Sequence, residues 1–165
     1  MGLRIPEMLD GAAEGSVKAM YIMGEDPVLS DPDANHVKHA INSLDFLVVQ
    51  DINMTETAKL ADVVLPATCY AEKDGTFTAS ERRVQRVRKA VEAPGQARID
   101  WTILAEVSKR LGGHGFDWKC AEDIFNEIRK CIPNYSGISY EKIDRLNGVQ
   151  WPCTSEDHEG SKYLH

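Results

Sequence analysis

The chain has 165 residues, of which 42% are hydrophobic and 27% charged, a composition typical of a soluble globular protein with its own core. Its formal net charge of −7 argues against nonspecific binding of nucleic acid, which needs a basic surface. No apolar run approaches the length that crosses a bilayer, and residues 1–10 lack the apolar centre of a secretory signal. These features predict a cytoplasmic protein without a membrane span.

The cysteines and histidines do not predict a metal site. The chain contains four cysteines, at positions 69, 120, 131 and 153. They form no Cys-x-x-Cys pair, and their spacing resembles neither a zinc site nor an iron–sulfur cluster. His36 and His39 lie three residues apart on a predicted helix, but two histidines without a third ligand are usually surface residues.

The first half of the chain alternates apolar runs with helical patterns. The runs Ala19–Met23, Phe46–Val49 and Asp62–Pro66 are typical of strands buried on both faces. Helices are predicted before and between them, at Ile5–Glu14, Asp33–Ser43 and Thr55–Ala61. Three such strands predict a Rossmann-like βαβαβ unit, an α/β fold with an open parallel sheet flanked by helices.

The second half of the chain is less regular. Gly75–Thr78 is predicted to be a loop or short strand, and Arg83–Val91 is expected to be extended. Further helices are predicted at Asp100–Leu111, Ala121–Cys131 and Tyr140–Leu146. Residues 148–165 are polar and aperiodic. We therefore expect one α/β domain over residues 1–147, followed by an irregular tail that links it to a missing C-terminal domain.

Polar residues follow the predicted strands, at the edge where open α/β sheets bind ligands. After the first strand come Gly24, Glu25 and Asp26. Glycine allows close backbone approach, amides in such a turn can meet a phosphate, and carboxylates can accept hydrogen bonds from ribose or guanine. The segment matches neither G-x-G-x-x-G nor the Walker pattern. From spacing alone, an ordinary turn begun by Asp26-Pro27 is the favoured interpretation.

A second group follows the second strand. Asp51 offers two acceptor oxygens, which match the N1–H and N2–H donors of guanine. Gln50 precedes it, and Thr55 and Thr57 follow. Thr55 is expected either to cap the next helix or to contact a ligand, and the sequence does not distinguish the two.

A third group lies further along the chain and shows no catalytic set. Glu72 and Lys73 are polar enough for catalysis, but no nucleophile and base accompany them, and Cys69 has no nearby histidine.

Residues 81–89 concentrate five cations. The favoured interpretation is a solvated face or a charged strand edge, and the alternative is a basic rim that meets phosphates or a partner.

Several segments, taken in order, resemble one known family, the molybdopterin oxidoreductases, and specifically the alpha subunits of formate dehydrogenases. They are residues 21–27 (YIMGEDP), 47–51 (LVVQD), 55–58 (TETA), 61–66 (ADVVLP), 72–78 (EKDGTFT), 81–85 (ERRVQ), 100–101 (DW) and 150–152 (QWP). Each block alone is weak evidence. The ordered set covers the chain from about residue 19 to its end.

The resemblance implies a cofactor. Such enzymes carry molybdenum or tungsten on two molybdopterin guanine dinucleotides, together with a 4Fe-4S cluster, and oxidise formate to carbon dioxide. The chain would then be the α/β part that cradles one guanine dinucleotide. The cofactor-binding residues that the resemblance implies are Gly24, Glu25, Asp26, Gln50, Asp51, Thr55, Thr57, Lys73 and Asp74.

The resemblance also implies what this chain lacks. The cluster cysteines, the metal-ligating cysteine or selenocysteine and the catalytic histidine and arginine belong to segments outside it. We therefore expect an internal fragment that is inactive alone and is partnered by the remaining domains of its subunit and by electron-transfer subunits. The alternatives are the same family with another substrate, as in nitrate reductase or an NADH dehydrogenase-like subunit, or a noncatalytic interaction module that docks through residues 82–89.

Overall fold

The computed structural model describes residues 2–163, which form two compact units. The first unit comprises the chain up to Thr68 together with Ala93–Asp100, and the second comprises Cys69–Glu92 and the chain from Trp101 onward. Sequence reasoning predicted one domain over residues 1–147, and this boundary stays a prediction. Each unit has its own cluster of buried apolar residues, which is the physical reason for the division.

The first unit contains the predicted parallel sheet. Its elements are α1 (Ile5–Ala13), β1 (Ala19–Met23), α2 (Pro27–Ser30), α3 (Ala34–Asn42), β2 (Phe46–Asp51), a 3-10 turn (Ala58–Leu60) and β3 (Val63–Pro66). The strand order is β1-β2-β3 and both pairings are parallel, which confirms the predicted α/β fold. The helix predicted at Thr55–Ala61 is only a 3-10 turn, and the four-residue α2 was not predicted.

One face of this sheet packs against helices. Leu47 and Val49 of β2 are buried together with Leu9 of α1 and with Val37 and Ile41 of α3. Helix α3 begins where the Asp33 carboxylate accepts a hydrogen bond from the amide of His36, at 3.0 Å. This core fixes the ends of β1 and β2, where the predicted ligand residues lie.

The second unit contains an antiparallel sheet whose pairing sequence reasoning did not predict, although its strands β4 and β5 fall in the segments predicted to be a loop or short strand and to be extended. Its elements are a 3-10 turn (Tyr70–Glu72), β4 (Gly75–Thr78), β5 (Arg83–Val87), α4 (Asp100–Arg110, whose first residue belongs to the first unit), α5 (Ala121–Cys131), a 3-10 turn (Pro133–Tyr135), α6 (Tyr140–Leu146) and β6 (Val149–Gln150). The strand order is β4-β5-β6. The three C-terminal helices agree closely with their predicted bounds. No helix in residues 2–163 is long and apolar enough to cross a bilayer.

The segment predicted to be a linker packs into this second unit over much of its length. Val149 and Cys153 are buried in its core. The buried Lys142 ammonium donates hydrogen bonds to the carbonyl oxygens of Ser155 and His158, at 3.1 Å each. These contacts were not visible in the sequence because they join residues without any periodic pattern. A missing domain after this segment remains a prediction, and the last two residues lie outside the described part of the chain.

The five cations of residues 81–89 have partners within the second unit. Arg82 donates to the carbonyl of Trp151, while the other four pair with carboxylates. These pairs are Arg83 with Glu81, Arg86 and Arg88 with Asp144, and Lys89 with Glu92. The arrangement agrees with the favoured interpretation of this stretch and gives no support to a free basic rim.

Candidate functional site

The candidate site lies in the first unit, at the carboxyl ends of β1 and β2. The turn after β1 contains Gly24 and Glu25, and β2 ends at Asp51. The amide of Gly24 donates to the carbonyl oxygen of Gln50 at 2.9 Å, which holds the turn against the neighbouring strand. Predicted ligand residues from two separate segments are therefore brought to one edge of the sheet, as in other open α/β folds.

Gly24 has the backbone conformation that the turn requires. Its φ is 65°, in the left-handed region, and no atom lies within 4 Å of the position where a Cβ would stand. The turn is thus held by backbone geometry, and the space beside it is open to an incoming ligand. Among the described residues, the amides of Glu25 and Asp26 have no acceptor, so both N–H groups are available.

Replacing Gly24 with alanine is expected to lower the free energy of unfolding by about 1 kcal/mol, because alanine is strained at positive φ although it meets no clash. Asparagine tolerates this conformation better, so Gly24→Asn is expected to cost less than Gly24→Ala. Urea unfolding of the three proteins measures the difference. Equal stability of the alanine variant and the wild type would show that the turn does not need glycine.

Asp26 joins this turn to the loop after β2. Its carboxylate accepts hydrogen bonds from the Thr57 hydroxyl at 2.6 Å, the Thr57 amide at 3.1 Å and the Glu56 amide at 3.3 Å. Burial acts to raise the pKa of Asp26, but these hydrogen bonds, with one from the amide of Leu29, outweigh it and lower the pKa below its usual value. The carboxylate stays ionised and serves as an internal clamp.

Thr57 and Thr55 also make internal contacts. The buried Thr57 hydroxyl, which donates to Asp26, accepts a hydrogen bond from the amide of Val28 at 3.2 Å. The Thr55 hydroxyl accepts from the amide of Ala58 at 3.0 Å, at the start of the 3-10 turn, and its predicted contact with a ligand stays a prediction. Both threonines therefore shape the loop, and the Thr57 hydroxyl has both its donor and an acceptor lone pair in use.

Gln50 is fully buried and bridges two side chains. Its Oε1 accepts a hydrogen bond from the Tyr21 hydroxyl at 2.5 Å, and its Nε2 donates to Oδ1 of Asp100 at 3.0 Å. Burial, and then the charge of Asp100, raise the pKa of Tyr21, so its hydroxyl keeps the proton that it donates. These two hydrogen bonds fix the orientation of the Gln50 side-chain amide next to the candidate site.

Asp51 and Glu25 keep carboxylate oxygens for a ligand. Oδ1 of Asp51 accepts from the amide of Asn53 at 2.9 Å, and no described residue donates to Oδ2. Glu25 is exposed, and no described side chain pairs with it. Two carboxylates at one edge suit a ligand rich in N–H or O–H donors.

Lys73 and Asp74 belong to the second unit, and their predicted role towards a cofactor stays a prediction. Asp74 accepts a hydrogen bond from the amide of Lys89 at 3.2 Å, across the β4–β5 pair. Lys73 is half-buried.

Sequence reasoning missed Tyr21 and Asp100 as members of the polar network. Both were interpreted as parts of regular elements, a buried strand and a helix cap. A signal was present for Tyr21, since a hydroxyl on a strand with both faces buried needs a partner. No comparable signal linked Asp100 to Gln50, because 50 residues separate them.

The parallel sheet of the first unit places the chain in the class of open α/β proteins. Comparison with known proteins identifies its family. The family model described as molybdopterin oxidoreductase matches residues 1–110. The chain therefore belongs to the molybdopterin oxidoreductase family. Membership implies a molybdopterin cofactor.

The similar curated proteins are much longer than this chain. An F420-dependent formate dehydrogenase subunit alpha from Methanocaldococcus jannaschii is 58% identical, over 99% of this chain and 24% of its own length. Formate dehydrogenase H from Escherichia coli is 42% identical, over 99% and 23% respectively. The assimilatory nitrate reductase catalytic subunit of Bacillus subtilis is also 42% identical, over 99% and 24%. The chain thus spans about a quarter of these relatives.

A solved structure shows the same fold. The acetylene hydratase from Pelobacter acetylenicus matches with a TM-score of 0.69 at 20% sequence identity, over 91% of this chain and 20% of that protein. At this identity the likeness concerns the fold only.

Proposed function

We propose that this chain is the part of a formate dehydrogenase catalytic subunit that holds the guanosine end of a molybdopterin guanine dinucleotide. The observation that carries the proposal is the edge formed by the Gly24 turn and Asp51, in a chain that belongs to the molybdopterin oxidoreductase family. Each feature of this edge has a counterpart in the chemistry of a guanine nucleotide.

The charges of the edge suit a nucleoside better than a phosphate. Glu25 and Asp51 place carboxylates at this edge, and carboxylates repel phosphate oxygens. Guanine offers N–H donors at N1 and N2, and ribose offers hydroxyl donors. Asp51 is the acceptor proposed for the base, and Glu25 the acceptor proposed for the ribose.

The backbone of the turn supplies hydrogen-bond donors, whereas the carboxylates supply acceptors. The available amides of Glu25 and Asp26 can donate to the carbonyl oxygen of guanine or to the nearer phosphate. The open space beside Gly24 admits the ligand close to the main chain. The cofactor, when bound, supplies the redox chemistry at its metal end, and the residues of this chain bind and orient its nucleotide end.

Replacing Asp51 with alanine is expected to weaken binding of GDP by at least tenfold. Losing a charge-assisted hydrogen bond costs roughly 1.5–3 kcal/mol, and each 1.4 kcal/mol is a factor of about ten. Binding is measured by titrating the isolated chain with GDP and following amide chemical shifts. The shifts are expected to cluster at residues 24–26 and 50–57.

Asp45→Ala is the matched control, because Asp45 is an exposed carboxylate just before β2, at the opposite end of the strand from Asp51. It is expected to bind GDP as the wild type does. Equal affinities of all three proteins would argue against the proposed base contact. Absence of wild-type binding at millimolar GDP would argue against a preformed guanosine site in this chain.

The activity proposed for the complete subunit is oxidation of formate to carbon dioxide. Formate dehydrogenases are among the relatives with the highest identities, at 58% and 54%. The complete subunit is proposed to carry molybdenum or tungsten and a 4Fe-4S cluster on its other domains. It would act in the cytoplasm with electron-transfer subunits, and the isolated chain is expected to show no formate oxidation.

Nitrate reduction is a second candidate activity for the complete subunit. It is favoured by the nitrate reductase relative, whose identity of 42% equals that of formate dehydrogenase H. The residues that separate the two substrates lie beside the metal, outside this chain. Assaying the complete subunit with formate and with nitrate distinguishes the candidates.

A further inference from the structure

A polar pocket of about 330 Å³ lies between β5 and the end of α6. Its size falls in the range of pockets that hold small organic ligands. It is built entirely from residues of the second unit, whereas the candidate nucleotide edge belongs to the first. The residues that line it are Gln85, Arg86, Arg88, Ile143, Asp144, Asn147 and Gly148.

Arg86 occupies an inward-facing position of β5. Side chains two residues apart on a strand point to the same face, so Arg86 shares the face of the fully buried Val84. The Arg86 side chain is only 16% exposed. Its guanidinium lies over the ring of Tyr140, with the central carbon 3.6 Å from the ring centroid. This contact stabilises the charge through the face of the guanidinium and leaves the N–H groups at its edge unused.

The edge of the Arg86 guanidinium lacks hydrogen-bond acceptors. Its Nε is buried and has no partner among the described residues. Oδ2 of Asp144 stands 3.7 Å from Nη1 of Arg86, beyond hydrogen-bond distance, while Oδ1 of the same carboxylate binds Nη2 of Arg88 at 2.8 Å. Buried polar groups in proteins are almost always hydrogen-bonded, so this guanidinium is suited to a further acceptor.

The residues that line the pocket carry more positive than negative charge. Two guanidiniums share the single carboxylate of Asp144, which lies one helical turn after Tyr140 and so on the same side of α6. Gln85 and Asn147 add side-chain amides that can donate hydrogen bonds. A guanidinium presents its N–H groups in a planar fork that matches the oxygens of a carboxylate or a phosphate. These features suit a small molecule with an anionic oxygen group.

We propose that this pocket binds a small oxyanion between the guanidiniums of Arg86 and Arg88. The ligand is a free molecule that carries a carboxylate or a phosphate group. Asp144 competes with it for both arginines, so this carboxylate limits the affinity. The inference does not depend on the proposed binding of a guanine nucleotide.

The test titrates the 165-residue chain with inorganic phosphate and, separately, with acetate, each against sodium chloride at the same ionic strength. Amide chemical shifts are expected to move saturably at residues 85–88 and 143–148, and the midpoint of thermal unfolding is expected to rise. Tighter binding of phosphate would assign the pocket to a phosphate compound, and tighter binding of acetate to a carboxylate compound. Shifts that follow ionic strength alone would overturn the proposal.

Two substitutions with opposite expected effects separate a ligand site from a purely structural cluster. Arg86→Lys keeps the positive charge but loses the planar fork, so it is expected to weaken anion binding by roughly tenfold. Asp144→Asn removes the competing carboxylate, so it is expected to lower the thermal midpoint and yet to tighten anion binding. A structural role alone would lower the midpoint without tightening binding.

Arg110→Lys is the matched control, because Arg110 is 70% exposed and pairs with Glu106 within α4. It is expected to bind both anions as the wild type does. If Arg86→Lys binds them as tightly as Arg110→Lys, or if folded Asp144→Asn binds them more weakly than the wild type, the pocket is not an oxyanion site.

Discussion

Replacing Asp26 with alanine is expected to lower the free energy of unfolding by about 3 kcal/mol, since hydrogen bonds to a charged group are worth roughly 1.5–3 kcal/mol net and this carboxylate accepts several. The truncation also leaves the buried hydroxyl of Thr57 without its acceptor. The two loops of the candidate site then separate. Urea unfolding at neutral pH measures the loss.

The contribution of Asp26 also depends on pH. Because its pKa is lowered in the folded state, the stabilisation is fully present above the ordinary carboxyl pKa of 3.8 and is lost as pH falls through the lowered value. The difference between wild type and Asp26→Ala should therefore shrink in acid. Asp26→Asn, which lacks the charge but keeps one acceptor, should show a smaller loss at pH 7. A difference that grows in acid would contradict the assigned role.

Replacing Gly137 with alanine is expected to destabilise the second unit by roughly 3 kcal/mol or more, because an added Cβ would overpack a closed interior. That Cβ would stand 2.1 Å from the carbonyl oxygen of Ser155 and 2.5 Å from its amide nitrogen. Both are backbone atoms, so no side chain can rotate away. The Gly137 amide also donates to the carbonyl of Cys153 at 2.8 Å, and a shift would break this bond.

Gly75→Ala is the matched control for Gly137→Ala, because Gly75 lies in the same unit and has no atom within 4 Å of the added Cβ. Thermal unfolding of both variants measures the contrast. If Gly137→Ala unfolds at the temperature of Gly75→Ala, residues 153–155 do not pack against Gly137 as the structure shows. They would then act as the linker that sequence patterns predicted.

The first unit was largely predictable because its signals are local. Three apolar runs flanked by turn residues predict buried parallel strands, and the capping aspartate Asp33 marks the start of α3. The boundaries were less predictable. The helix expected at Thr55–Ala61 is reduced to a 3-10 turn, and Glu56 and Thr57 donate their amides to Asp26 ahead of it.

The pairing of the second sheet was not predictable from local patterns. Its central strand β5 carries charged side chains, and Arg86 is accommodated beside the ring of Tyr140, with its guanidinium 3.6 Å from the ring centroid. Strand β6 contains two residues and exists through its pairing with β5, more than sixty residues earlier. Such a contact has no signature in the composition of either segment.

The candidate site divides into two groups that the sequence could not separate. Asp26 and Thr57 are used inside the protein, whereas Asp51 and Glu25 keep carboxylate oxygens available at the sheet edge. All four are polar residues after strands, and their types alone do not tell a clamp from a ligand contact. Only the hydrogen bonds across 31 residues distinguish them.

The division of the chain determines how the first unit can be isolated. Residues 93–100 belong to the first unit, although β4 and β5 precede them in the chain. Asp100 accepts a hydrogen bond from the side-chain amide of Gln50. The backbone amide of Arg98 donates to the carbonyl oxygen of Pro66 at 3.0 Å. A protein cut after Thr68 loses both contacts. The first unit is therefore best isolated by deleting residues 69–92 and joining the ends with a short linker. A truncation after Thr68 would instead leave the Gln50 side-chain amide without its acceptor, Asp100.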